Sequence, residues 1–197
     1  MLLARQVNKM ILVDSALWTW RDQKWAHLVS DSSYRELHGF ASRLGKRRIS
    51  FQGDHYDVNE SERKTALDLG ATAVGCRDLL KSIRSNGLRR RSRLEAWNII
   101  CDQEVEGSSI PDLIVRSVTS LYFSHQLVTQ LDEFSPDLTD KRVKILIVQR
   151  SNQAAFVISG PLGQCKEKTI DSDATWARLI STGINTTIEI VEGIEWS

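Results

Sequence analysis

The stretch Met10-Ile11-Leu12-Val13-Asp14 is a short apolar run closed by a carboxylate, and it decides how the first half of the chain folds. Its length and its branched residues predict a buried strand. Beyond a loop that contains three tryptophans, Ser33 and Glu36 have the spacing of a capping box. The apolar residues that follow recur at helical intervals as far as Gly45, where a glycine commonly ends a helix. A strand, a loop and a helix are therefore expected.

The same alternation continues along the chain. Strands are predicted at 48–51 and 72–75, and helices at 59–69 and 77–85, with Asn59 and Glu62 as a second cap. Strands and helices in strict alternation imply parallel strands joined by right-handed crossovers. The fold class expected for residues 10–90 is α/β, a small two-layer or three-layer domain around a mainly parallel β-α-β-α-β-α sheet.

Residues 91–197 have a different pattern and predict an α+β domain with two helices and a small, mainly antiparallel sheet. The predicted elements are helices at 94–105 and 112–134, a hairpin of strands 142–149 and 153–159, a short helix at 174–181 between Asp173 and Gly183, and a strand at 186–191.

Composition limits the class of protein. The 197 residues carry a formal net charge of +1, but residues 1–90 hold 16 Lys and Arg against 10 Asp and Glu, and residues 91–197 hold 10 against 15. Two domains that attract each other, or one basic functional face, would explain this asymmetry. The odd count of three cysteines argues against a disulfide framework and favours a cytoplasmic protein. No apolar run is long enough to cross a membrane.

Several short motifs occur in a fixed order along residues 10–90, and together they resemble a known family. They are Ile11-Leu12-Val13-Asp14, Trp18, Trp20, Trp25-Ala26-His27-Leu28-Val29-Ser30-Asp31, Glu36-Leu37-His38-Gly39-Phe40-Ala41, Leu44-Gly45, Phe51-Gln52-Gly53-Asp54-His55-Tyr56-Asp57-Val58, Arg63, Ala66 and Leu69-Gly70-Ala71. This region is similar to the bacterial and phage "domain of unknown function 4031" family. The resemblance implies an outline of the domain but no mechanism. Because members of the family usually begin at the Ile-Leu-Val-Asp strand, it also implies that residues 1–9 are an N-terminal extension and that Met10 is an alternative start.

The candidate catalytic residues are Asp14, His55 and Asp57, which are also the candidate ligands of a divalent metal. Asp14 ends a predicted strand, and in open α/β sheets such positions face the functional crevice. His55 and Asp57 are two residues apart, so they point the same way in an extended segment. Imidazole and carboxylate groups that meet at one crevice bind divalent cations or act as an acid–base pair.

A wider set of residues is predicted to contact a substrate. It consists of Trp18, Trp20, His27, Asp31, Arg48 and Tyr56. For most of these residues a structural role is open as well: the tryptophans pack over the sheet, His27 bonds a loop carbonyl, Asp31 orders the turn before Ser33, and Arg48 is solvated surface. The same is true of two candidate catalytic residues, because Asp14 can bond loop amides after the first strand and Asp57 can order the entry to the helix at Asn59. The sequence contains no glycine-rich phosphate loop and no nucleophile elbow.

Three functions remain open at this point, and one of them is an interaction or regulatory protein whose acidic C-terminal domain docks a partner. The favoured one is binding or processing of a nucleotide or another phosphate-bearing small molecule, by metal-assisted hydrolysis, at the strand ends of the first domain. The alternative is a non-enzymatic protein, linked to phage or to defence, that binds nucleic acid through Arg89, Arg90, Arg91 and Arg93. The same arginine run is also explained as a linker between the domains.

Overall fold

The computed structural model describes residues 10–89, 95–134, 137–162, 167–172, 174–182 and 184–193. The chain divides into two compact units, Met1–Leu94 and Glu95–Ser197. The predicted extension, residues 1–9, lies outside the described residues.

Unit 1 combines a five-stranded sheet with three helices. The strands are β1 (Ile11–Val13), β2 (Trp18–Trp20), β3 (Gln23–Ser30), β4 (Tyr56–Asn59) and β5 (Thr72–Ala73), and the helices are α1 (Tyr34–Arg43), α2 (Glu60–Asp68) and α3 (Cys76–Ser85). The Asn59 side chain and Glu62 form the predicted capping box at the start of α2. At α1 only half of the predicted box is present: the Ser33 side chain accepts the Glu36 amide, while Glu36 itself accepts from the hydroxyls of Ser30 and Ser32.

The sheet is mixed, and this corrects the prediction of a mainly parallel one. Among the strands within residues 10–89, only β1 and β5 pair in parallel, whereas β3 pairs antiparallel with β1, β2 and β4. Leu28 on β3 faces Val13 on one edge and Tyr56 on the other, so β3 lies inside the sheet between β1 and β4. Trp25 pairs with Trp18 of β2 on one edge and with Asn59 of β4 on the other, so β2 lies on the same edge of β3 as β1.

The prediction failed because the tryptophan-rich segment is a hairpin rather than a loop. Trp18 pairs with Trp25, and the two residues of the turn, Arg21 and Asp22, have φ values of 50° and 59°. Positive φ at both central residues defines the type I′ turn, whose twist matches the twist of two paired hairpin strands. The usual sequence of this turn is Asn-Gly, which is absent here. This turn returns the chain antiparallel and makes a long crossover unnecessary.

The predicted strand at 48–51 is also wrong. Arg48–Ser50 form a short 3-10 helix, and only Phe51 makes an isolated bridge, to Tyr56. The strand of this region is instead β4, which runs directly into α2 at Asn59.

Helices cover both faces of the unit 1 sheet. Ala26 and Leu28 of β3 lie in one apolar core with residues of α1 and α2. Val29 lies in a second core with Leu79 and Ile83 of α3. Because successive strand residues alternate between faces, His27 is on the same face as Val29, the face on which α3 packs.

Unit 2 contains a six-stranded antiparallel sheet in the order β6-β7-β8-β11-β10-β9. The elements are β6 (Asn98–Glu106), α4 (Ile110–Ser117), α5 (Leu121–Phe134), β7 (Arg142–Arg150), β8 (Gln153–Gly160), β9 (Lys168–Asp171), β10 (Thr175–Thr182) and β11 (Asn185–Gly193), with a 3-10 turn at Gly107–Ser109. Ile114 and Leu127 of the helices pack on inward-facing sheet residues such as Phe156.

Three predictions for unit 2 are wrong. The segment 98–106 is strand β6, not part of a helix at 94–105. The helix predicted at 112–134 is two helices, because Val118 has extended backbone angles. Residues 175–182 form strand β10, not a helix, and the expected caps Asp173 and Gly183 lie outside the described residues. The hairpin of β7 and β8 is present as predicted.

In the described parts of the chain, no helix combines the length and the apolar character needed to span a bilayer. Cys76 and Cys101 are free thiols, and Cys165 lies outside the described residues.

Candidate functional site

His27 lies at the centre of a row of polar side chains that crosses the sheet. The register pairs His27 directly with Asp57 of β4. On the other edge of β3, the amide of Asp14 donates to the carbonyl of His27 at 3.2 Å. Strand pairing therefore brings together three residues that are distant in sequence, on the face of the sheet that α3 covers only in part.

Asp14 holds the His27 ring in place. One carboxylate oxygen of Asp14 accepts the backbone N–H of His27 at 2.7 Å, and the other lies 2.8 Å from Nδ1 of the imidazole. Asp14 is buried, with 3% of its surface exposed, whereas a third of the His27 side chain reaches solvent. Both oxygens of Asp14 are thus used to orient His27, whose Nε2 remains available to a ligand.

His55 is held in the same manner by its neighbour. Nδ1 of His55 lies 2.6 Å from Oδ1 of Asp54. The other oxygen of Asp54 accepts a hydrogen bond of 3.0 Å from Arg89. The Nε2 atom of His55 is directed at Asp57, with 3.4 Å between it and Oδ1. The rings of His55 and His27 meet edge to face, with their centroids 5.1 Å apart.

Asp57 completes the cluster, and its Oδ1 has one long polar contact, 3.4 Å to Nε2 of His55. Oδ1 is buried and accepts no hydrogen bond of good geometry from the described residues. Ligand atoms of His27, His55 and Asp57 all lie within 4.8 Å of one another. Burying an anionic oxygen without a hydrogen bond costs free energy unless a cation compensates it. We call these three residues the His/Asp cluster.

The charge around His55 favours a cation at this position. Burial lowers the pKa of His55, but the hydrogen bonds and negative charges of Asp54 and Asp57 outweigh burial and raise it to about 9. The site therefore stabilises positive charge between the two carboxylates, either as a proton on the imidazole or as a bound metal ion.

The His/Asp cluster has the chemistry of a metal centre. Two imidazoles and one carboxylate on one side of an ion, with the other positions open, are a ligand set of catalytic transition-metal sites. Histidine ligands in such sites usually donate their second ring N–H to a carboxylate, which fixes the tautomer and raises the basicity of the ligand nitrogen. Here Asp14 and Asp54 are the carboxylates behind His27 and His55.

Cationic and aromatic side chains surround the cluster. The Nε of Arg63, on α2, donates to the carbonyl of Asp14 at 2.6 Å and brings a guanidinium to the end of β1. The guanidinium of Arg89 is 40% exposed beside Asp54. The ring centroid of Trp18 is 6.3 Å from that of His27. Arg89 is therefore the cation closest to the cluster through a side-chain contact, whereas Arg63 is held at the backbone of Asp14.

Not all of the residues predicted from the sequence lie at this site. His55 and Asp57 belong to the cluster, Asp14 lies behind it, and Trp18 borders it. Asp31 follows the opposite end of β3, where it accepts the backbone N–H of Met10 at 2.8 Å.

Tyr56 and Arg48 are on the other side of the sheet. Tyr56 is fully buried in the core formed with α1 and α2, and its hydroxyl lies 2.8 Å from Nδ1 of His38. Burial, and to a smaller extent the charge of Arg48, holds the pKa of His38 well below its usual range. These residues therefore form a buried internal contact, and they are separated from the His/Asp cluster by the sheet.

Sequence reasoning did not select Asp54 or Arg63. Asp54 is adjacent to His55 but lies before β4, so strand alternation gives no reason to place it with Asp57. Arg63 reaches the site from a helix, through a contact 49 residues away along the chain. The only available signal was local: Gly53, with φ of 104°, turns the chain immediately before Asp54 and His55.

The arginine run between the units is described only in part. Arg89 pairs with Asp54, whereas Arg90, Arg91 and Arg93 lie outside the described residues. Binding of nucleic acid through this run stays a prediction.

Comparison with known proteins gives a family resemblance for unit 1. Residues 11–86 match the family described as "Protein of unknown function (DUF4031)", the one that the sequence motifs indicated. Every member of the His/Asp cluster, and Asp14, Asp54 and Arg63, fall inside the matched region. No curated protein and no solved structure matches the chain.

Proposed function

We propose that unit 1 is a divalent-metal-dependent hydrolase that acts on a phosphate-bearing compound. The observation that supports this most directly is the convergence of ligand atoms of His27, His55 and Asp57 within 4.8 Å, with a buried oxygen of Asp57 whose one polar contact among the described residues is 3.4 Å to Nε2 of His55. The two imidazoles and the Asp57 carboxylate would bind the ion, and Asp14 and Asp54 would orient the imidazoles.

A divalent ion held by His27, His55 and Asp57 would supply Lewis-acid chemistry, by lowering the pKa of water and polarising a phosphoryl oxygen of the substrate. Hydrolysis would join the oxygen of water to phosphorus and break the bond between phosphorus and the ester oxygen. The proton that water loses would be balanced by the proton that the leaving ester oxygen takes up. The negative phosphate oxygens would be stabilised by the ion and by Arg63 and Arg89.

Metal binding is the first test. Isothermal titration of the full chain with Zn²⁺, Mn²⁺ and Co²⁺ should give one site per chain for at least one of these ions. His27→Ala and His55→Ala should each abolish saturable binding, while His125→Ala, which removes an exposed histidine of unit 2, should leave it unchanged. Thermal melts of the metal-free variants separate loss of ligands from loss of folding.

Hydrolysis is the second test. The metal-loaded protein should release nitrophenolate from bis-p-nitrophenyl phosphate, and chelation should stop the reaction. Failure of every ion to bind to the folded wild-type chain would overturn the proposal. If an ion binds but no phosphomonoester or phosphodiester is hydrolysed, the metal site is supported and the hydrolase activity is rejected.

A further inference from the structure

The β2–β3 hairpin carries a continuous row of aromatic rings that ends at the His/Asp cluster. Ring centroids are 5.1 Å apart between His55 and His27, 6.3 Å between His27 and Trp18, 5.9 Å between Trp18 and Trp25, and 5.9 Å between Trp25 and Trp20. We call the three tryptophans the tryptophan row. It extends from the cluster along the hairpin to the turn.

The tryptophan row is on the same face of the sheet as the cluster. Trp25 precedes His27 by two residues on β3, so both side chains project from one face. Trp18 pairs with Trp25 across the hairpin, and Trp20 is two residues further along β2. The structure thus forms one surface with ligand-binding imidazoles at one end and indoles at the other.

This surface is exposed to an unusual degree for tryptophan. Trp20 has 50% of its area accessible and Trp18 has 37%. Large aromatic side chains normally contribute to stability by burial, so neighbouring exposed indoles commonly mark a binding surface.

The charges beside the row favour an anionic polymer over an apolar protein segment. The guanidinium of Arg21 lies over the Trp20 ring at 4.4 Å, at the far end of the row. Lys46 lies 5.8 Å from the Trp25 ring, although it also pairs with Glu62. At the other end Arg89 pairs with Asp54 beside the cluster, so a cation lies near each end of the aromatic surface. The opposing charges are Asp22 at the hairpin turn and the carboxylates of Asp54 and Asp57 at the cluster.

We infer that the tryptophan row binds the unpaired bases of a single-stranded nucleic acid and leads one of its phosphates to the His/Asp cluster. Unpaired bases stack on aromatic side chains without regard to sequence, while cations follow the backbone. The four successive distances between ring centroids together span more than the length of one nucleobase. The exposed face therefore suits an extended strand better than a single enclosed nucleotide. The inference rests on the proposed function, because it names the substrate of the same site.

Binding is measured with the full chain in a chelating buffer, so that no hydrolysis takes place. A fluorescent dT 12-mer is titrated with protein and its anisotropy recorded at several salt concentrations, alongside the same sequence as a duplex and thymidine monophosphate. The 12-mer should bind, with quenching of tryptophan fluorescence and an affinity that falls as salt rises. The duplex and the mononucleotide should bind at least tenfold more weakly.

Substitutions in the tryptophan row test whether it is the surface that binds the 12-mer. Trp20→Ala, at the end far from the cluster, should weaken binding of the 12-mer roughly tenfold, while Trp20→Phe, which keeps a ring, should restore most of the affinity. Arg21→Gln should reduce the slope of log affinity against log salt by about one. Tyr122→Ala removes a 60% exposed aromatic residue of unit 2 and should change nothing.

Several outcomes would overturn the inference. They are tight binding of the mononucleotide, equal binding of the duplex, unchanged affinity in Trp20→Ala, or self-association in light scattering that Trp20→Ala abolishes, which would assign the row to a second copy of the chain. Its failure is distinct from failure of the proposed function. A chain that binds metal but not the 12-mer rejects only the tryptophan row, and a chain that binds the 12-mer but no metal rejects the hydrolase.

Discussion

The carboxylate of Asp14 contacts His27 at two points, with 2.7 Å to the backbone nitrogen and 2.8 Å to Nδ1 of the ring. This pair fixes both the position and the tautomer of the imidazole, because a carboxylate at Nδ1 favours a proton there and leaves Nε2 as the acceptor. Asp14, at the end of β1, thereby leaves Nε2 of His27, on the paired strand β3, as the atom that binds a ligand.

Replacing Asp14 by Asn should weaken metal binding about 10- to 100-fold while the fold is retained. The Asn amide group is similar in size, but when its NH₂ faces the ring it favours a proton on Nε2, and that tautomer cannot bind a cation. Titration calorimetry of the Asp14→Asn variant and of wild type measures the difference.

The matched control is Asp31→Asn, which changes a carboxylate at the opposite end of β3 that bonds the Met10 amide. It should bind metal as wild type does. Equal affinities for Asp14→Asn and wild type would show that the Asp14 contact serves the fold alone.

The capping box of α2 gives a prediction about stability. Asn59 accepts the backbone N–H of Glu62 at 2.9 Å, and the Glu62 side chain accepts the backbone N–H of Asn59 at 2.9 Å. Asn59→Ala should lower the free energy of unfolding of unit 1 by about 1 kcal/mol, measured by urea denaturation. Ser61→Ala, within the first turn of the same helix, should have less than half that effect.

A larger loss is expected from the core of unit 2. Leu127 of α5 is fully buried against the six-stranded sheet, so Leu127→Ala should reduce stability by about 2–5 kcal/mol through lost burial and the cavity that remains. Leu121 is on the same helix but is 69% exposed, and Leu121→Ala should cost less than about 0.5 kcal/mol. Similar losses for the two variants would mean that α5 does not pack on the sheet as described.

The sequence predicted those parts of the site that depend on neighbours in the chain. An apolar run closed by Asp14 defines a strand and its end, and the spacing of His55 and Asp57 puts both on one side of an extended segment. His27 lies between Asp14 and Asp57 because its strand pairs with residues that are 13 and 30 positions away along the chain. The alternation of side chains within one strand does not reveal the register of that pairing.

The lack of information on strand pairing also explains why some secondary-structure predictions were wrong. In β10 Trp176 and Leu179 are both buried although they project from opposite faces, so the segment lacks the alternation that predicts a strand. It is nevertheless a strand because β9 and β11 bond to both of its edges. In unit 1 a hairpin with Arg21 and Asp22 at its turn replaced an expected loop, since this pair lacks the glycine of the Asn-Gly and Asp-Gly sequences that usually signal such a turn. Pairing partners far along the chain overrode local preference in both cases.

The pH dependence of unit 2 should follow from Glu192. This residue is 1% exposed, and only Oε2 accepts a hydrogen bond, from the Thr175 hydroxyl at 3.0 Å, while Oε1 is buried without a hydrogen bond from the described residues. Burial raises the pKa of Glu192 from 4.5 to about 7, the Thr175 hydrogen bond opposes this, and the charge of Glu133 adds to it.

Because the folded-state pKa is raised above the unfolded value, folding favours the protonated carboxyl group. The contribution of Glu192 to stability is therefore complete below about pH 4.5 and is lost as the pH rises through about 7. Glu192→Gln keeps a neutral side chain at every pH. The variant should melt at a higher temperature than wild type at pH 8.5, by a few degrees, and at about the same temperature at pH 5. Scanning calorimetry at the two pH values measures this, with the exposed Glu104→Gln as a control that should shift neither. A melting-temperature difference that is equal at pH 5 and pH 8.5 would contradict the assignment, since a titrating carboxyl group must make the difference depend on pH.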